Sequence, residues 1–289
     1  MKKKYLTIIL QGGLGNQLFQ IATAYALALK NSLDIKINVR GYRNSFDRKF
    51  ELHKFPNVKK VTVLENNPLR IFFLLVLKKI STILGFYKQN KFESSPFVFN
   101  KILFNRDLSQ STSLIGYFQS EKYFINEKKK IYNLFKFPLN KNNLVKLYLK
   151  KIKSSNAVAI HFRGGDYITN LTTKNFHGNL SLNYYLKSLK YINTQIKSPR
   201  FFVFSDDTNF IKEISLIKNL KYTYVDIKSA FDSLYLMSKC KHYIIANSSF
   251  GWWGAWLSKN DNKIICAPKN WVKANIKTDD VIPKSWKTF

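Results

Sequence analysis

The strongest indication of the fold is the stretch AIHFRGGDY, residues 159–167, which joins an apolar run to a cluster of charged and small residues. Small and β-branched residues lead up to His161, and Arg163, two glycines and Asp166 follow at once. A short apolar run that ends on glycines is typical of a buried strand in a parallel sheet. The stretch therefore predicts a buried strand whose carboxyl end carries charged side chains.

Further apolar runs recur up to residue 268, and stretches with the apolar spacing of helices separate them. This alternation is typical of a parallel sheet with right-handed crossovers. The predicted strands are AVAIHF at 157–162, RFFVFS at 200–205, KYTYVD at 221–226, HYIIAN at 242–247 and KIICAP at 263–268. The helices between them are predicted to open at the capping residues Ser181, Asp207, Ser229 and Ser248. The second half is thus predicted to be a Rossmann-type domain.

The first half begins with the same alternation. The apolar run Tyr5–Leu10 is too short for a signal peptide and predicts a first strand before a helix. Further strands are predicted in DIKINV at 34–39 and SLIGYFQS at 113–120, and helices over 128–135 and 142–152. The polar stretch KKIKSSN, residues 150–156, is the predicted linker. We therefore expect two domains, over residues 1–152 and 153–289.

Composition and charge restrict the partners. Lys and Arg number 48 against 17 acidic residues, and the net charge of +31 favours nucleic acid, anionic lipid or phosphorylated small molecules. Cys240 and Cys266 fit no metal-ligand pattern and indicate two buried thiols in a reducing compartment. The apolar segment at 71–87 is broken by Lys78 and Lys79, so it predicts a buried helix or one lying on an anionic membrane surface, and no membrane span.

Polar residues also follow two other predicted strands of the second half. Because ligands of doubly wound sheets bind at the carboxyl ends of the strands, these positions are candidate site residues. They are Ser205, Asp206 and Asp207 after one strand, and Asn247, Ser248 and Ser249 after the other. Two interpretations of Arg163 stay open, a bidentate contact to a pyrophosphate and a salt bridge to Asp166.

The remaining motifs also have more than one interpretation. The two aspartates suit a purine edge or ribose, and they equally suit the start of a helix. The two serines open a helix whose N-terminus binds phosphate or is simply capped by them. The tryptophans at 252, 253 and 256 indicate core or interdomain packing rather than a sugar platform.

The glycine-rich loop GGLGN, residues 12–16, matches neither a P-loop nor a dinucleotide fingerprint. Its backbone N–H groups from Gly13 to Asn16 are predicted to face a cleft between the two halves. No two aspartates have the D-x-D spacing that many metal-dependent sugar transferases use, so we expect no metal ligands and a metal-free leaving group.

Together, GGLGNQLFQIATAYALA at 12–28, HFRGGDY at 161–167, FSDD at 204–207 and SSFGWWGAWLS at 248–258 resemble the bacterial α-1,2-fucosyltransferases of glycosyltransferase family 11. The resemblance implies an α/β fold of GT-B type with two facing Rossmann-like domains. The C-terminal domain would hold GDP-fucose, and fucose would pass to the O2 of a terminal galactose by an inverting single displacement that needs no metal and no cofactor.

The same resemblance assigns roles to individual residues. It places His161 toward the nucleotide, Arg163 on the diphosphate, and Asp166 near the reaction centre as a candidate base. Asp207, and next Asp206, would bind the guanine. The remaining implied donor-binding residues are Gly165, Ser205, Asn247, Ser248, Ser249 and Phe250, and Gly13, Gly15, Asn16 and Gln17 would line the cleft opposite.

One position departs from the family pattern, because Gly164 stands where a second arginine is usual. Arg163 alone, or Arg163 with Lys228, would then have to neutralise the departing GDP. The implied acceptor is a galactose-terminated bacterial surface glycan, with a lipid-linked form and peripheral contact with the inner membrane from the cytoplasm as expectations. Two alternatives are another fucosyl linkage and a nucleic-acid-binding protein, and the even spread of lysines along the chain counts against the second.

Overall fold

The computed structural model describes residues 4–39, 42, 49–64, 91–93, 95–108, 112–164, 175–178, 180–207 and 220–289. The chain divides into two compact units. One contains Met1–Gly13 and Gln17–Lys136, and the other contains Leu14–Asn16 and Phe137–Phe289. Each unit has one sheet, and every strand pairing between described residues is parallel. The expected α/β class with parallel sheets is confirmed.

The first unit has a five-stranded sheet in the order β3-β2-β1-β5-β4. Its strands are β1 (Tyr5–Ile9), β2 (Asp34–Asn38), β3 (Thr62–Leu64), β4 (Lys91–Glu93) and β5 (Thr112–Ile115). Among its described residues, the helices are α1 (Leu14–Asn31), whose first three residues belong to the second unit, α2 (Pro56–Val61), α3 (Lys101–Asn105) and α4 (Lys128–Leu134). The strand predicted over 113–120 ends at Ile115, because Gly116 then adopts a φ of 151°.

The second unit has a six-stranded sheet in the order β11-β10-β9-β6-β7-β8. Its strands are β6 (Asn156–Phe162), β7 (Pro199–Ser205), β8 (Tyr222–Tyr224), β9 (His242–Ile244), β10 (Ile265–Ala267) and β11 (Lys287–Thr288). The first five match the predicted strands. The sixth was not predicted, because two residues give no periodicity.

Four helices of the second unit lie wholly within the described residues: α5 (Asn143–Lys153), α6 (Leu182–Gln195), α7 (Ala230–Met237) and α8 (Ser249–Trp256). Three of the four begin where a serine was predicted to cap them: the side chains of Ser181, Ser229 and Ser248 accept backbone N–H groups. Asn142 caps α5 in the same way. The helix predicted from Asp207 and the apolar segment at 71–87 lie outside the described residues.

The central strand β6 is buried on both faces. Val158, Ile160 and Phe162 point to one face, where residues of α6 pack against them. Ala157, Ala159 and His161 alternate with them and so lie on the other face. A parallel strand covered on both sides has a nearly continuous apolar sequence, which is why this strand could be recognised from sequence.

The division of the chain falls before α5, earlier than the predicted boundary at residue 152. Asn140 donates from Nδ2 to Oδ1 of Asp232 at 2.6 Å, which ties the segment before α5 to α7. The stretch KKIKSSN is not a linker but the end of α5 and the short turn into β6. The stretch is polar because it includes residues on the exposed face of α5. The apolar residues Val145 and Ile152 lie on the buried face of this helix.

Buried tryptophans and cysteines form part of the core of the second unit. Trp252 and Trp253 have no exposed surface, which confirms their packing role. Cys240 and Cys266 are buried free thiols, as expected, and burial raises the pKa of Cys266 to about 12. Within the described part of the chain, no helix is long and apolar enough to cross a membrane.

Candidate active site

Arg163 and Asp206 follow neighbouring strands and form an ion pair. The pairing of β6 with β7 places Phe162 beside Ser205. The residues that follow them, Arg163 and Asp206, therefore also lie beside each other. Nη1 of Arg163 contacts Oδ2 of Asp206, and the backbone N–H of Gly164 donates to Oδ1 of Asp206 at 3.0 Å. Both oxygens of this carboxylate therefore hold the end of β6. The described residues thus show an ion pair of Arg163 with Asp206, and the salt bridge to Asp166 that the sequence left open stays a prediction because Asp166 lies outside them.

His161 is buried beside the same strand end. Its side chain is 3% exposed, and its ring lies 5.6 Å from the ring of Phe250. Nδ1 of His161 has no hydrogen-bond partner among the described residues. Burial, and after it the positive charge of Arg163, lowers the pKa of His161 to about 3. The imidazole is therefore neutral at physiological pH, and a neutral ring offers one donor and one acceptor.

The first turn of α8 packs closely on this histidine. A Cβ at Gly251 would lie 2.7 Å from Nδ1 of His161, so a larger residue would displace the ring. Ser248 is the N-cap, and its hydroxyl accepts the N–H of Phe250 at 3.3 Å. The N-terminus of α8 thus lies beside β6, and it provides the partial positive charge that favours a bound anion.

Residues 14–16 belong to the same compact unit as α8. A Cβ at Gly15 would lie 2.5 Å from the backbone N of Phe250 and 2.5 Å from the backbone C of Ser249. Only a glycine permits this approach of two backbone segments. The structure therefore brings Gly15 to the start of α8, and the next residue, Asn16, is partly exposed.

Three candidates have mainly local or internal contacts. Ser205 and Asp207 close a tight turn, in which the Ser205 hydroxyl bonds to both the carbonyl and the N–H of Asp207 at 3.1 Å. Asn247 is 2% exposed, and its amide donates to the carbonyls of His177 at 3.0 Å and Trp271 at 3.1 Å. The amide nitrogen of Asn247 therefore fixes two loops, a role that the sequence did not indicate.

Gln17 differs from its prediction as a cleft-lining residue. The side chain of Gln17 belongs to the first unit and is fully buried. The amide donates to the carbonyls of Gly12 at 3.2 Å and Lys49 at 2.8 Å, and its oxygen accepts the N–H of Glu51 at 2.9 Å. The side chain thus connects the glycine loop to residues 49–51. Gly13 is the N-cap residue of α1 and is partly exposed.

The structure thus brings together six of the candidate residues: Gly15, His161, Arg163, Asp206, Ser249 and Phe250. Gly165 and Asp166 lie outside the described residues, and their roles stay predictions. Two participants were missed, Gly251 and the backbone N–H of Gly164. A glycine inside a helix that follows a strand end could have indicated the close contact at Gly251. Within the described ranges, no group of three or more His, Cys, Asp or Glu residues could hold a metal ion.

Comparisons with known proteins identify the family of the chain. The family model of glycosyl transferase family 11 matches residues 5–289. The chain is 33% identical to an alpha-1,2-colitosyltransferase of Escherichia coli, with 96% of each chain covered. It is 32% identical to the O-antigen biosynthesis glycosyltransferase WbnK of Escherichia coli, over 93% of this chain and 95% of that protein.

Solved structures share the fold at low sequence identity. The NodZ alpha-1,6-fucosyltransferase co-crystallised with GDP has a TM-score of 0.50 and 14% identity, covering 88% of this chain and 92% of its own. FUT1 of Arabidopsis thaliana has a TM-score of 0.55 and 12% identity, covering 93% of this chain and 72% of its own. The fold is therefore of the GT-B class. The chain belongs to glycosyltransferase family 11, and it is a glycosyltransferase.

Proposed function

We propose that the protein transfers L-fucose from GDP-fucose to the O2 of a terminal galactose on a bacterial surface glycan, with inversion and without a metal. The observation that carries this proposal is the Arg163 guanidinium, held by Asp206 at the end of β6. A galactoside 2-alpha-L-fucosyltransferase of Caenorhabditis elegans, 26% identical over 64% of this chain and 55% of its own, supports the linkage.

The transfer requires stabilisation of the departing diphosphate, on which negative charge develops. Arg163 suits this task, because its planar fork matches two phosphate oxygens and its position is set before the donor binds. The backbone N–H groups at the start of α8, with the Ser249 hydroxyl, would bind the β-phosphate. These groups together would take the place of a metal ion.

His161 and the two aspartates would have separate tasks. A neutral His161 would face the nucleotide as a hydrogen-bonding ring, since its low pKa keeps it uncharged. Asp206 uses both carboxylate oxygens on Arg163 and Gly164, so we assign the guanine to Asp207 and give Asp206 the task of positioning Arg163. Asp166 is our proposed base for the acceptor hydroxyl.

A second candidate donor is a colitose nucleotide, because an alpha-1,2-colitosyltransferase is 33% identical over 96% of this chain. Colitose is fucose without its 3-hydroxyl. A site that hydrogen-bonds this hydroxyl would reject colitose strongly, whereas an apolar site would accept both sugars with similar efficiency. The ratio of the two kcat/KM values therefore separates the candidates.

The acceptor and location extend the same proposal. The similarity to an O-antigen glycosyltransferase supports a glycan acceptor, which we propose to be galactose-terminated and lipid-linked. Such an acceptor would be used in the cytoplasm at the inner membrane, where a net charge of +31 favours peripheral contact with anionic lipid.

The test is a transfer assay with purified protein, GDP-fucose or GDP-colitose, and a panel of β-galactosides, with and without EDTA. We expect fucosyl transfer that EDTA does not reduce, and loss of transfer in Arg163→Ala. Arg106→Ala, an exposed arginine of the first unit, is the matched control. Absence of both GDP binding and turnover would overturn the proposal, and loss with EDTA would overturn its metal-free mechanism.

A further inference from the structure

A second basic site lies at the opposite end of the second sheet from Arg163. A cavity of about 620 Å³ opens at the amino ends of β6, β7 and β8. We call it the basic pocket and define it by the lining residues Lys151, Lys153, Ser155, Asn156, Arg200 and Lys241. The length of β6, at about 3.3 Å per residue, separates it from the candidate active site.

Four cations surround this cavity, and no carboxylate lines it. Lys151 and Lys153 come from the last turn of α5, Arg200 from the start of β7, and Lys241 from the residue before β9. Among the described residues, none of the four forms a salt bridge. Like charges around one concave surface repel each other, so a bound anion would relieve an unfavourable interaction.

Neighbouring groups fix this arrangement and extend its positive field. Nζ of Lys241 donates to Oδ1 of Asn156 at 3.1 Å, and Nδ2 of Asn156 donates to the carbonyl of Lys197 at 2.8 Å. Partial burial, and after it the charges of Lys259 and Lys153, lowers the pKa of nearby Lys239. A hydrogen bond thus orients Lys241, and further lysines add positive charge at this end of the sheet.

The polar residues of the lining suit a phosphate better than a carboxylate. Ser154, Ser155 and Thr223 add hydroxyls to the four cations, and a phosphate has enough oxygens to use both kinds of donor. We propose that the basic pocket binds a phosphate-bearing anion, either a free phosphate or diphosphate compound or the headgroup of an anionic lipid. This site is independent of the proposed transferase function.

The first arm of the test uses pyrophosphate as the probe in isothermal titration of the full chain. The pocket variant is Lys151→Ala/Arg200→Gln, and Lys187→Ala/Lys190→Ala on the exposed face of α6, which removes the same number of charges, is the control. We expect the pocket variant to bind pyrophosphate at the basic pocket at least about tenfold more weakly than the wild type. The control should bind pyrophosphate there with unchanged affinity. Arg163→Ala should retain pyrophosphate binding at the basic pocket. A failure of this proposal can therefore be distinguished from a failure of the proposed transferase function.

The second arm identifies the source of the phosphate. Sedimentation is measured with vesicles of phosphatidylcholine alone and with vesicles of equal phosphatidylcholine and phosphatidylglycerol. Weaker binding of the pocket variant than of the control to the anionic vesicles identifies a lipid headgroup. A loss seen only with pyrophosphate identifies a soluble phosphate compound. If pyrophosphate and vesicle binding are the same for both variants, and thermal denaturation shows both folded, the pocket is not an anion site.

Discussion

The burial of His161 predicts a measurable loss of stability in mild acid. Its pKa is about 3 in the folded chain, against 6.5 for an ordinary histidine. Between these values only the unfolded chain binds the proton, so the free energy of unfolding falls as pH decreases through this window. The slope is about 1.4 kcal/mol per pH unit for one such group, so lowering the pH to 5 costs about 2 kcal/mol from His161 alone.

The assay is urea unfolding of the wild type and of His161→Asn at pH 8 and at pH 5. Other groups also titrate, including His242, whose pKa is lowered by burial and by Lys241, so the comparison is between the two falls in stability. We expect the fall to be about 2 kcal/mol smaller in His161→Asn, because asparagine binds no proton. His53→Asn, at an exposed position, controls for replacement of a histidine.

An equal fall in wild type and His161→Asn would refute the reasoning, since it would mean that His161 titrates alike in both states. His161→Gln is the second variant, in case asparagine alone disturbs the packing against Gly251. A lower stability of either variant at pH 8 does not affect the conclusion, because only the change between the two pH values is compared.

Three further substitutions test the contacts around the strand ends. Gly15→Ala should lower the free energy of unfolding by about 1–3 kcal/mol in urea titration, because its Cβ would lie 2.5 Å from backbone atoms of Ser249 and Phe250; unchanged stability would contradict the close approach. Asp206→Asn should lower kcat/KM for GDP-fucose about tenfold, because the charged contact with Arg163 is lost; steady-state kinetics equal to wild type would remove its positioning role. Gly164→Arg should keep or increase activity, and loss of activity with an intact fold would show that the position serves another purpose.

Local patterns were sufficient to predict most of the second sheet, whereas contacts between distant residues were not predictable. The strand β6 could be recognised because both of its faces are buried. Ser181, Ser229 and Ser248 could be predicted as helix caps because capping depends on residues that are neighbours in sequence. The ion pair of Arg163 with Asp206 depends on the register of β6 against β7, which the sequence alone does not give.

The glycine loop shows the same limit. The resemblance implies that Gln17 lines a cleft, whereas in the structure its amide bonds to backbone groups of Lys49 and Glu51. The sequence does not reveal this contact, because Gln17 and Lys49 lie 32 residues apart along the chain. Buried backbone groups require partners, and the fold decides which side chain provides them.

The most direct test of the account is the linkage of the product formed from GDP-fucose and a terminal β-galactoside. We expect NMR of the product to show fucose α-linked to the galactose O2, and Arg163→Ala to form none while keeping the wild-type unfolding transition. Wild-type turnover by folded Arg163→Ala, or a product linked elsewhere than O2, would contradict the account.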